Sequence, residues 1–225
     1  MSLIGLTSLS AFAQSGTLPP GNTDFGGSGI PIDTVEVTTI SDGANTITLG
    51  LDATQRYPAS PIIDNGDLYN NGKATYFAAP GQQWNFDFYA GIAGGGTLSD
   101  YNFVLSYAIT PGTPAAKLGS WNLNAGSPGT ATSVENSEFP GFAFLATGFP
   151  GAVTAPGSPF DGPYDINADG DYNFILSAYN AAGGLLGTDA ITVDVGPVPD
   201  AASTLGLMGI GLSALVGLRR KVSRG

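Results

Sequence analysis

The sequence predicts an all-β sandwich followed by one apolar helix at the C-terminus. Three observations carry that prediction. No segment of residues 33–196 holds an apolar stripe of helical period and length. Short runs alternate apolar and polar residues instead, the pattern of strands with one buried face. Thirty-four glycines and sixteen prolines punctuate those runs, with turn residues about every 8–12 positions in the regular parts, as in sandwiches.

Residues 1–13 are apolar with Ser and Thr, and Ala11-Phe12-Ala13 before Gln14 has the small-x-small form of a signal-peptidase site. A signal-peptide remnant cleaved between Ala13 and Gln14 is the expectation. The usual basic n-region is absent, and a short buried helix is the structural alternative. Residues 14–32 run through Gly, Ser, Thr and Pro and read as a flexible linker. The sandwich domain is placed at residues 33–196.

Residues 34–40 and 46–51 alternate on either side of Asp42-Gly43, which predicts a first hairpin. A polar connection holds Pro58, Pro61, Asn65-Gly66 and Asn71-Gly72, and residues 74–78 follow as a short strand. Residues 83–89 set Trp84, Phe86 and Phe88 on one face and Asn85 and Asp87 on the other, which predicts a strand with one buried side. Past Gly94-Gly95-Gly96, the residues Tyr101, Phe103, Leu105, Tyr107 and Ile109 alternate strictly and mark a core strand, with residues 117–123 as its returning partner. Half of the sixteen prolines fall between Pro111 and Pro163, around the apolar piece Phe142-Ala143-Phe144-Leu145. Proline cannot donate to a ladder, so that region predicts long loops and edge strands, where a binding function would sit. Tyr172, Phe174, Leu176 and Ala178, a turn at residues 180–184, and Ile191, Val193 and Val195 predict a last hairpin.

Asp100-Tyr101-Asn102-Phe103-Val104-Leu105-Ser106 recurs as Asp171-Tyr172-Asn173-Phe174-Ile175-Leu176-Ser177, each followed by Leu-Gly-Ser or Leu-Gly-Thr. Two tandem small β-domains or two equivalent hairpins in one sandwich account for the echo; the thin core of each half alone favours one sandwich. Asp169-Gly170 before Tyr172 resembles the Asp-Gly-x-Tyr turn entering the penultimate strand of bacterial immunoglobulin-like domains, where the tyrosine pins the corner. The fold expectation is therefore a single immunoglobulin-like β-sandwich plus a C-terminal transmembrane helix.

All eighteen acidic residues lie at or before Asp200, opposed there by Arg56, Lys73 and Lys117 alone, so the body carries a formal charge of −15 and the tail +4. Such a surface repels phosphate backbones and anionic lipid heads, which argues against nucleic acid and peripheral membrane binding. The chain has no cysteine and no histidine. Disulfide frameworks, zinc-thiolate sites and every Ser-His-Asp or Cys-His arrangement are excluded. A carboxylate-pair glycosidase drawn from Glu135, Glu138, Asp161 and Asp165 is the enzymatic option left, and solvated loop acids explain the same residues. No catalytic residue is assigned, and the expected function is not enzymatic.

Asp165, Asn167, Asp169 and Asp171, with Gly170 among them, match the opening of a calcium loop. The twelfth position is Leu176, where the bidentate glutamate is needed, so only a weak calcium site or a plain Asx-rich turn remains. Trp84, Trp121, Tyr69 and Tyr76 are candidates for a sugar-stacking platform. Trp84 lies on the apolar face of its strand and reads as core, and Trp121 is less determined.

The last segment, residues 197–225, organises the rest. Val198-Pro199-Asp200 and Ser203-Thr204 precede fourteen uncharged residues, Leu205 to Leu218, closed by Arg219-Arg220-Lys221. An apolar helix over residues 203–218 with cations at its inner end holds that end in the cytoplasm and leaves the body outside. Fourteen residues span about 21 Å as a helix, a marginal anchor suited to removal. Gly209, Ser213 and Gly217 would form a small-residue ridge on it.

This order of parts resembles the PEP-CTERM sorting tails of bacterial exported proteins, in its VPDSG-type variant, with Ala201-Ala202 where the variant has Ser-Gly. The resemblance implies an exosortase-type membrane peptidase acting on Val198, Pro199, Asp200, Ser203 and Thr204, after signal peptidase has acted at the other end. It also implies transient membrane insertion by the C-terminal helix and release at the cell surface, often alongside exopolysaccharide. A permanent single-span anchor is the alternative. The function expected is a structural or adhesive surface or matrix protein, with a carbohydrate-binding module, calcium-assisted or not, as the second reading.

Overall fold

The computed structural model describes residues 14–15, 18, 35–56, 69–70, 74–157, 164–165 and 167–196. Their strands are β1 (Gln14–Ser15), β2 (Glu36–Asp42), β3 (Asn45–Gln55), β4 (Tyr69–Asn70), β5 (Thr75–Ala78) and β6 (Trp84–Ala93). The chain continues with β7 (Tyr101–Tyr107), β8 (Gly119–Asn122), β9 (Ser133–Glu138), a short helix α1 (Ala143–Thr147), β10 (Val153–Thr154), β11 (Gly170–Asn180) and β12 (Leu185–Val195). They make two sheets, in the orders β1-β2-β3-β6-β9 and β10-β8-β7-β11-β12-β5-β4. The all-β class matches the alternation of the sequence. The expected membrane helix, residues 203–218, lies outside the described residues, and no helix among those described is long and apolar enough to cross a membrane.

Period-two alternation explains how the two sheets share a core. Ile47, Leu49, Leu51 and Ala53 of β3 and Trp84, Phe86 and Phe88 of β6 face Phe103, Leu105, Tyr172, Phe174, Ile191 and Val193 from the other sheet. Aromatic rings join the layers. The Phe86 ring stacks on Phe174 at 4.7 Å between centroids, and Trp84 meets the edges of Tyr172 and Phe174 at 5.4 and 5.9 Å. Such pairs add about 0.5–1.5 kcal/mol each beyond the area they bury.

One expectation about β6 needs correction. Its alternation predicts a single buried side, yet Asn85, Asp87 and Tyr89 on the opposite face are buried as well. Leu18 lies on that outer face, in one apolar cluster with Val35 and Tyr89, so the first sheet is covered there too. Polar side chains on this face bond one another in part: the Thr54 hydroxyl donates to Asp87 at 2.8 Å, and the Asn85 amide to Ser137 at 2.9 Å.

The heptapeptide echo has a direct geometric meaning. Its two copies, β7 and β11, are neighbouring antiparallel strands, and Leu105 of one lies opposite Leu176 of the other. These are equivalent positions of the repeat, so a local twofold axis runs between them. It extends outward: Gly119 pairs with Tyr107 and Gly187 with Ala178, which superposes the two Leu-Gly-Ser/Thr segments. Both copies therefore lie in one sheet.

The proline-rich stretch contains more structure than its composition predicts. β9 pairs with β6 over Ser133 to Glu138, although Val134 is its only aliphatic residue and no alternation announces it. Backbone ladder bonds alone define such an edge strand. Helix α1 occupies the expected apolar piece and seats Leu145 in the core.

Candidate functional site

Val198, Pro199, Asp200, Ser203, Thr204, Arg219, Arg220 and Lys221 lie outside the described residues, as does Ala13. Gln14, expected to follow the signal cleavage, begins β1 opposite Val37.

The calcium-loop candidates Asp165, Asn167, Asp169 and Asp171 are all exposed. The Asp165 carboxylate accepts hydrogen bonds from the Asn167 backbone N–H at 2.9 Å and from its side-chain amide at 3.4 Å, which makes an Asx turn. Just beyond, the Tyr172 hydroxyl donates to the Ala168 carbonyl at 3.0 Å, the geometry of a tyrosine corner. Leu176, at the position that would supply a bidentate ligand, is fully buried in the core. Among the described residues no group of three or more Asp or Glu side chains gathers as metal ligands.

Of the carboxylates weighed as an acid/base pair, the structure relates two, Glu135 and Glu138. Glu135 lies opposite Tyr89 and Glu138 opposite Phe86, so the two occupy opposite faces of β9. Burial raises the Glu138 carboxyl to about 7 against the pull of the Arg56 charge. The Arg56 guanidinium itself sits over the rings of Phe139 and Phe142, at 4.2 and 4.9 Å from their centres. Asp165 is held in its turn, and Asp161 is outside the described residues.

Two of the aromatic candidates turn inward. Trp84 and Tyr76 are fully buried. Trp121 is half-buried, with its ring edge-on to Phe88 at 5.4 Å and to Phe144 at 5.5 Å. Tyr69 stands on β4 opposite Phe77, and its side chain is not among those described.

Sequence reasoning passed over the buried acids. Glu36 and Asp189 face the space between the sheets at 2% and 1% exposure. The Asp189 carboxylate accepts a bond from the Thr38 hydroxyl at 3.4 Å and from the Ala190 backbone N–H at 3.1 Å. Among the described residues its other oxygen, Oδ2, finds no hydrogen-bond partner. Burial, with the Glu36 charge adding to it and bonds from Ala190, Thr38 and Leu51 opposing it, pushes Asp189 up to about 8. A carboxyl kept neutral at pH 7 is what such a position tolerates. The local twofold makes the choice more pointed: Asp189 pairs with Leu176 as Trp121 pairs with Leu105, so an acid stands where its mate is an indole. A signal existed in the alternation, since Asp189 is in phase with Ile191 and Val193, and Glu36 with Thr38 and Ile40. Closed to solvent, this pair cannot meet a substrate.

The class of the protein comes from its end. It is a protein that carries a C-terminal sorting signal. Residues 197–222 match the family model of the VPDSG-CTERM motif, a variant of the PEP-CTERM-like signals. A motif of this kind marks an exported protein that passes through the membrane and is processed by an exosortase-type enzyme. None of the curated proteins matches the chain.

Proposed function

We propose that the protein is a non-catalytic structural or adhesive component of the cell surface or extracellular matrix, delivered there by its sorting tail. The match of residues 197–222 to the VPDSG-CTERM motif carries this reading. Supporting it, the body lacks the histidine and cysteine on which most catalysis depends, and Glu135 and Glu138 lie on opposite faces of one strand. The order β8-β7-β11-β12, with a tyrosine corner at Tyr172, is consistent with the C′-C-F-G run of an immunoglobulin-like sandwich. Such a body is a rigid spacer, and its charge of −15 keeps it hydrated and dispersed among neutral polymers. Its partners on this reading are signal peptidase, an exosortase-type peptidase and the exopolysaccharide around it.

The test is mechanical. Cells lacking the gene are expected to build a matrix of lower elastic modulus, restored by the full chain and not by residues 1–196. A modulus unchanged by deletion contradicts the proposal.

A further inference from the structure

A groove of about 640 Å³ runs along the outer face of the second sheet. Its floor is Val104 of β7 with Ser120 and Asn122 of β8, and its wall is the segment from Thr147 to Thr154. That wall is a tight hairpin: Phe149 and Val153 exchange backbone hydrogen bonds of 2.8 Å in both directions, and the Asn122 N–H donates to the Ala152 carbonyl at 2.8 Å. Gly148 and Gly151 hold φ of +80 and +81, conformations that suit glycine. The hairpin is thus fixed to β8, and it holds Phe149 against the groove with 60% of its surface in water.

An exposed phenylalanine forgoes the free energy of burying its ring, and a rigid hairpin that keeps one exposed beside a concave surface offers a flat face to a ligand. The polar groups around it are available. The Ser120 and Thr154 hydroxyls, register partners across β8 and β10, make no hydrogen bond within the described residues. Asn122 accepts from the Asn124 N–H through Oδ1, which leaves its amide N–H groups to point elsewhere. Among the described residues no charged side chain lines the groove, in a body whose formal charge is −15.

We propose that this groove is a binding site for a neutral glycan, with Phe149 as the stacking face and Ser120, Asn122 and Thr154 as the hydroxyl-reading groups. The chemistry fits on both sides. The C–H face of a pyranose carries partial positive charge and rests on the negative face of an aromatic ring. Sugar hydroxyls exchange donors and acceptors with small uncharged side chains at fixed positions. A neutral lining makes no demand for a counter-charge, and the acidic body around it turns away anionic polymers. The proposal rests on the matrix reading above and names the matrix partner; Phe149, not Trp121, carries the stacking.

Calorimetry on the full chain, held in a detergent without a sugar headgroup, tests it with neutral linear hexasaccharides of glucose, mannose and galactose. Saturable binding of at least one probe at about millimolar concentration is expected. Phe149→Ala should weaken it at least tenfold, Phe149→Trp should retain it, and Asn122→Ala should weaken it severalfold. Near-UV circular dichroism confirms that each variant is folded. Binding that survives Phe149→Ala overturns the proposal, as does no binding of any probe. Self-association that depends on Phe149 and is indifferent to sugar also overturns it. A chain that binds sugar but never leaves the cytoplasm would defeat the matrix reading alone, and an exported chain that binds none would defeat this one alone.

Discussion

Asp189 accepts a hydrogen bond from the Thr38 hydroxyl, 3.4 Å away, across the space between the two sheets. Folded Asp189 holds its proton up to about 8, whereas an unfolded aspartate releases it near 3.9. The folded value is the higher one, so this contribution is fully present below about pH 4 and is lost as pH rises through about 8. Glu138, raised to about 7, acts in the same direction. Urea denaturation should show stability falling from pH 5 to pH 9 by roughly 2–5 kcal/mol, with most of that slope gone in Asp189→Asn. Stability that rises over this range, or an unchanged slope in the variant, contradicts the assignment.

The twofold-related glycines admit neighbours that a methyl group would strike. A Cβ on Gly119 would run into the Tyr107 ring, and one on Gly187 would come within 2.6 Å of Ile40 Cδ1. Tyr107 has little freedom to retreat, since its hydroxyl donates to the Leu145 and Thr154 carbonyls at 2.8 and 3.2 Å. Gly119→Ala and Gly187→Ala should each cost about 1–3 kcal/mol in chemical denaturation. A neutral effect at Gly119 would show that the ring is loosely held.

The loop ahead of β11 should behave as a turn pinned by Tyr172. Tyr172→Phe removes the bond to the Ala168 carbonyl and should cost about 1 kcal/mol. Thermal melting with millimolar calcium or with EDTA should give the same midpoint, because Asp165 is engaged with Asn167. A calcium-dependent rise that disappears in Asp169→Asn would restore the metal site.

Alternation made most of the architecture legible. It marks β2, β3, β6, β7, β11 and β12, where one residue in two is large and apolar, and the echo marks the two strands that meet at Leu105 and Leu176. It gave no sign of β9, whose side chains are nearly all polar and whose place is defined by backbone pairing to β6. It also missed the second buried face of β6, because Leu18 and Val35, which cluster with Tyr89 there, are far away in sequence. The reach from Trp121 to Phe88 across the layers needed the register of β8 on β7, which composition does not supply. Phe149 escaped notice for a related reason. A lone aromatic between glycine and proline looks like loop until a hairpin fixes its direction.

The most direct measurement is the intact mass of the protein purified from its own cells, from the fractions outside the cytoplasmic membrane. Export and sorting predict a body that lacks the leader and is cut within or beside Val198 to Thr204, and whose tail is retained when the exosortase-type peptidase is deleted. Recovery of the full-length chain from the cytoplasm, with both ends intact and no dependence on that peptidase, would contradict the account.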